Sequence, residues 1–125
     1  MSDPLRELLV DKDQLDRELL SKVLKHYLKI DKDSHSVRFT AMSEELTIDN
    51  KIIIFLLARK AMKAMELTNT ESSKPGEIEK ATGIKGGTLR PKLSKMYDKK
   101  LIDKDEAGGY FVSDHSVEIV ARRFE

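Results

Sequence analysis

Apolar residues recur at Leu15, Leu19, Val23 and Tyr27, with Leu20, Leu24 and Leu28 beside them. That spacing places them on one broad stripe of a helix, and Lys22, Lys25 and Lys29 lie mostly off it. Asp13 is the expected cap of this helix. Asp3 followed by Pro4 reads as the cap and first residue of a shorter helix reaching Leu9. Val37 and Phe39 alternate with polar residues, as in a half-buried strand, and residues 28–30 could pair with it across the polar turn 31–36. Residues 41–48 read as a linker containing one turn of helix.

The second half opens differently. Ile52-Ile53-Ile54-Phe55-Leu56-Leu57-Ala58 has no polar side at all. Such a run suits a buried strand or a buried helix, and the following Ala61, Met62, Ala64 and Met65 favour a helix, from Asn50 to about Leu67, capped by Thr47 or Asp49. A helix apolar on every side must be covered on every side. The N-terminal helices are therefore expected on one face and the C-terminal part on the other. This makes residues 1–48 an extension packed on a unit formed by residues 49–125.

Residues 68–74 are polar and read as a loop. Pro75 opens a short helix with Ile78 and Ala81 inside, and Gly83 ends it in the left-handed conformation. Lys85-Gly86-Gly87 reads as a tight turn, after which Thr88 starts a helix whose inner face is Leu89, Leu93 and Met96. Residues 101–104 and 110–113 are expected strands, joined by a tip at 105–109 with two glycines. Asp114 is the expected cap of a last helix carrying Val117, Val120, Ala121 and Phe124. The fold class is thus mainly α with a small β-hairpin.

Composition narrows the chemistry. Of 125 residues, 36% are charged, yet the formal net charge is only +1. The distribution is uneven: residues 74–104 hold nine basic and four acidic residues, a net +5 against −4 for the remainder. There is no cysteine, which excludes disulfides, thiolate metal sites and a cysteine nucleophile. His26, His35 and His115 are scattered, with no ligand pair at helical spacing, so neither a metal nor another cofactor is expected. Phosphate-loop, dinucleotide, serine-hydrolase and zinc-protease motifs do not occur, and carboxylate pairs such as Glu44-Glu45 fall in polar segments. The chain does not read as an enzyme. The longest apolar run is far short of the roughly 20 residues of a membrane span, and Met1-Ser2-Asp3-Pro4 does not open a secretory signal. A cytoplasmic location is the expectation.

The order helix, short helix, glycine turn, helix, hairpin, helix resembles the winged helix-turn-helix family. Pro75-Gly76-Glu77-Ile78-Glu79-Lys80-Ala81-Thr82-Gly83-Ile84 is similar to that family's second helix and turn. Thr88-Leu89-Arg90-Pro91-Lys92-Leu93-Ser94-Lys95-Met96, continuing to Leu101-Ile102, is similar to its recognition helix and first wing strand. The resemblance implies sequence-specific binding to double-stranded DNA, with residues 85–95 in the major groove. On that basis Arg90 is the candidate for guanine readout and Lys95 for a second base or phosphate. Thr88 and the amide groups after Gly87 would meet a phosphate at the helix start, and Lys85, Lys92 and Lys99 would lie on the phosphate backbone. Ser94 shares the outward face. Lys104 and Tyr110 are the candidate wing contacts, against an acidic tip of Asp105 and Glu106. The resemblance also implies a homodimer. The stripe at residues 15–28 and that at 117–124 either form its interface or pack within one chain. The alternative is a winged-helix module that binds a protein partner rather than DNA.

Overall fold

The computed structural model describes residues 3–9 and 11–125. Local chemistry sets the helix starts. Asp3 accepts a hydrogen bond from the Leu5 amide and opens a 3-10 turn at Pro4–Leu8. Helix α1 spans Lys12–Leu24, and its cap is Asp11, whose carboxylate accepts from the Gln14 amide at 3.2 Å. The expected cap, Asp13, lies inside the first turn instead and pairs with Arg17 one turn on at 3.0 Å. Two aspartates two residues apart are equivalent in the sequence pattern, but only Asp11 precedes Lys12, which is already helical.

A hairpin follows: β1, Leu28–Ile30, pairs antiparallel with β2, Val37–Phe39, in the register Leu28↔Phe39 and Ile30↔Val37. Asp31 holds the turn between them by accepting the amides of Asp33 and Ser34, and these bonds keep its carboxyl below the usual aspartate range. A 3-10 turn at Ala41–Glu45 leads into α2, Ile48–Ala64, capped by the Thr47 hydroxyl on the Asn50 amide. Helix α2 ends three residues before the expected Leu67. Glu66 turns left-handed, with φ of 62°, and the Leu67 amide bonds back to the Met62 carbonyl.

Helix α3 is Pro75–Thr82, with Pro75 first and Gly83 left-handed at its end. Helix α4 is Gly86–Asp98. Gly86 and Gly87 are therefore its first turn rather than a tight turn before it, because the Lys85 carbonyl already accepts the amides of Thr88 and Leu89. Strands β3, Asp103–Lys104, and β4, Tyr110–Phe111, are shorter than expected. Helix α5 is Val117–Arg122 and is preceded by Ser116, not capped by Asp114. Asp114 is drawn away by Lys60, 2.6 Å distant.

Helix α2 is the axis of the core. Its residues 52–58 are all buried, with α1, α3, β4 and α5 packed around it. One continuous cluster joins Leu20 and Val23 of α1, Ile78 of α3, Leu89 and Leu93 of α4, and Val117 and Val120 of α5. Each such side chain contributes about 1.5–3 kcal/mol by leaving water. Extension and C-terminal unit share this core. Helix α1 packs on both α2 and α5, and the Tyr27 ring meets the Phe124 ring edge-on at 6.1 Å. The two apolar stripes considered as dimer surfaces thus cover one another within the chain.

Candidate nucleic-acid interface

Only Ile84 and Lys85 separate the left-handed Gly83 from α4, so α3 and α4 pack closely on one another, and α3 packs on α2. Leu89, Leu93 and Met96 anchor α4 in the core. A helix buried along one stripe presents the opposite one, and Arg90, Pro91, Ser94, Lys95, Asp98 and Lys99 are exposed there. Pro91 lies inside α4, where it removes one backbone donor, yet the helix runs on to Asp98. Lys85, at the cap position, makes no side-chain cap bond. At the positive end of the helix dipole only the first amides of α4, those of Gly86 and Gly87, are without a carbonyl among the described residues, because the expected donors after Gly87, the Thr88 and Leu89 amides, are taken by the Lys85 carbonyl. Gly87 and Thr88 are exposed at this end.

The structure sorts the sequence candidates into two groups. Lys85, Arg90, Lys95, Lys99 and Lys104 are exposed, and among the described residues none has a carboxylate within 4.0 Å. Lys92 departs from the expected set: its ammonium lies 2.8 Å from Asp49 at the start of α2. It points toward its own fold, and the Asp49 oxygen it meets is shielded from solvent. Tyr110 departs too. It is 8% exposed, and its backbone exchanges two hydrogen bonds with Ser73, at 2.9 and 2.8 Å. Its ring lies beneath the Lys104 ammonium, 5.5 Å from the centroid, so it seats a candidate cation rather than reaching outward itself.

The hairpin tip also differs from its sequence reading. Asp105 is not a free charge: one oxygen accepts the Ser72 hydroxyl at 2.6 Å and the other the Gly109 amide at 2.7 Å. The Ser72 bond first, and then the amide, hold this carboxyl below the usual aspartate range. Gly109 allows this close approach: a Cβ would lie 3.0 Å from Ser72, which would have to shift to admit it. Glu106 remains exposed. The reciprocal Ser73–Tyr110 bridge was missed in the sequence, where residues 68–74 carry only loop signals. So was Glu79. A Cβ on Gly86 would be 3.3 Å from the Glu79 carboxylate and 3.8 Å from Arg90 Nε, so both side chains flank the same point at the start of α4.

Elsewhere some cations find partners, while others, among them Lys25, Lys29, Lys63 and Arg123, have no carboxylate within 4.0 Å among the described residues. Lys12 meets Asp16 at 2.6 Å, Arg38 meets Asp31 at 3.5 Å and Arg122 meets Glu118 at 3.0 Å. The pairing with Asp16 raises the Lys12 pKa, and that with Glu118 raises the Arg122 pKa. Among the described residues no three metal-binding side chains converge, and no helix is long and apolar enough to cross a membrane. Compared with known proteins, the chain matches no family model, no curated protein and no solved structure.

Proposed function

We propose that this chain is a winged helix-turn-helix protein that binds duplex DNA through the exposed face of α4 and regulates transcription in the cytoplasm as a pair of copies. One observation carries the reading: five exposed cations without a carboxylate partner among the described residues, Lys85, Arg90, Lys95, Lys99 and Lys104, gather on and beside one helix, within the stretch 74–104 that holds a net +5. An unpaired set of like charges gains nothing for the fold, whereas a polyanion rewards it by releasing condensed counterions. In this reading α4 enters the major groove. Arg90 reads a guanine edge, Lys95 and Ser94 meet a base or phosphate, and Lys85 and Lys99 lie on the backbone. The amides of Gly86 and Gly87, rather than those after Gly87, receive a phosphate, with the Thr88 hydroxyl beside them. Lys104, steadied over Tyr110, contacts the flank. Asp105 keeps its charge but commits its oxygens to Ser72 and Gly109, which leaves Glu106 as the exposed carboxylate of the hairpin tip.

The test is binding to mixed-sequence duplex across salt concentrations, followed by selection of bound sites from random duplex. Four to five phosphate contacts give a slope of about −4 in log affinity against log salt. Arg90→Ala combined with Lys95→Ala abolishes site preference and flattens the slope. A second reading, a protein-binding surface, is favoured by Tyr97, which is exposed beside Asp98 late in α4. Binding that ignores salt and both substitutions would select it instead.

A further inference from the structure

We infer that two copies of this chain pair by exchanging their N-terminal turns, each seated in an apolar groove of the other between α1, β1 and the end of α2. The inference deepens the two-copy part of the proposed function, and it is read from mass in solution, without DNA.

Two unexplained features fit one another. The first is the turn Pro4–Leu8 and the residue after it. Leu5, Leu8 and Leu9 are 68%, 76% and 71% exposed, three leucines on one short capped segment. Scattered exposed leucines are ordinary, but a cluster of them on a formed turn is an apolar patch awaiting cover. The second is a groove of about 330 Å³, floored by Leu20, Leu24, Leu28, Ile30 and Met65. Its size suits a few aliphatic side chains, at the low end of ligand-sized pockets.

Charge selects the occupant. The groove is rimmed by Arg17, Lys25 and Lys29, and no acidic residue lines it. Arg17 is already held by Asp13 and by the Ala64 carbonyl, which leaves Lys25 and Lys29 without a carboxylate among the described residues. Residues 3–11 hold Asp3, Glu7 and Asp11 against Arg6, a net −2. A leucine-bearing segment flanked by carboxylates thus faces a leucine-lined groove flanked by ammonium groups.

Geometry favours exchange over self-occupancy. Helix α1, of 13 residues, is about 20 Å long. The turn leaves its beginning, whereas the groove flanks its second half and the strand beyond. For a chain to fill its own groove, the turn must double back along α1. With a second copy related by a two-fold axis and α1 antiparallel, the beginning of each α1 lies beside the end of the other, and both grooves fill at once. Such a pairing is closed and self-complementary. It also leaves the inner stripe of α1 in the core of its own chain.

The experiment is sedimentation of the full chain over a range of concentrations, with circular dichroism to check folding. The arm variant is Leu8→Asp with Leu9→Asp. The groove variant is Met65→Glu, at a half-exposed position that tolerates a charge in the monomer. The wild type is expected as a dimer, and each variant as a folded monomer, its self-association weakened more than about tenfold. Mixed, the two variants are expected to form a heterodimer, because the intact arm of one meets the intact groove of the other. A wild type that stays monomeric, a dimer untouched by either change, or a mixture that stays monomeric at every concentration would overturn the inference. Loss of DNA binding with the dimer intact would count against the proposed function alone.

Discussion

Helices α2 and α4 both carry cations, and Lys60 on the first and Arg90 and Lys95 on the second are treated in opposite ways. On α2, Lys60 is 8% exposed, and its ammonium lies 3.0 Å from Glu71 and 2.6 Å from Asp114. On α4, Arg90 and Lys95 are exposed and lack carboxylate partners among the described residues. The physical reason is solvent. A cation withdrawn from water costs several kcal/mol unless matched, so Lys60 is matched twice. An exposed cation stays hydrated and needs no partner, so its pairing is free to be decided by something outside the fold. The lesson is that burial decides which cation must be matched within the protein, as Lys60 is, and exposure leaves the others open to a ligand.

The strongest way to break the contrast is to attack the two helices on their buried and exposed sides. Leu56→Ala, at a fully buried position of α2, is expected to cost about 2–5 kcal/mol in urea unfolding. Ser94→Ala, on the outer face of α4, is expected to stay within about 0.5 kcal/mol. Equal losses would mean that α4 is not one-sided, and the reading of its outer face would fail with it.

Lys60 comes next. Lys60→Ala strands Glu71, itself largely shielded, and removes an aliphatic stem from beside α1. The expected loss is about 2–3 kcal/mol, at the low end for a buried pair because Asp114 stays well hydrated. Lys60→Met restores the stem and recovers part of it. The hydrogen bond from Lys60, with its charge, holds the Asp114 carboxyl below its ordinary value of 3.8. A depressed carboxyl contributes stability above its unfolded pKa and loses it as pH falls through the folded pKa. Wild-type stability should therefore drop with acid below about pH 4, and Lys60→Met should show a shallower drop. An unchanged acid slope would mean that Asp114 gains nothing from this contact.

These two sites differ in how far the sequence discloses them. The run at 52–58 announces its burial directly, because no arrangement of seven apolar residues leaves a wet side. Gly83 announces a helix end, and Val37 with Phe39 a half-buried strand, since each signal is complete within a few residues. Asp114 is the opposite case. It sits where a cap is expected, but its partner is Lys60, far away along the chain, and an ion pair offered by folding outcompetes a local cap. The same holds for Asp105, taken inward by Ser72, for Lys92, taken by Asp49, and for Ser73, bridged to Tyr110. Half of the candidate interface was legible because Leu89, Leu93 and Met96 fix which side of α4 faces out. The remainder was not, because a lysine on a helix shows its charge in the sequence but not its partner.

On the exposed side, Arg90→Ala is expected to weaken a selected DNA site by about 1–3 kcal/mol and to relax preference at one base position. Stability should be unaffected. A uniform loss across all sequences would make Arg90 a phosphate contact instead, and no loss would remove α4 from the interface.

The smallest effects give the sharpest comparison, because Lys92 and Lys95 lie on the same helix. Lys95→Ala should leave unfolding unchanged and reduce the slope of log affinity against log salt by about one. Lys92→Ala should do the reverse. It should cost up to about 1 kcal/mol of stability through the half-exposed pair with Asp49, and leave the salt slope alone. Asp49→Asn should mimic the stability loss of Lys92→Ala, and the double variant should cost little more than either, since each removes the same contact. If Lys92→Ala instead lowers the salt slope as Lys95→Ala does, then the pair with Asp49 opens when DNA arrives. Pairing in the free protein would then no longer tell which cations are held for the fold and which for a polyanion.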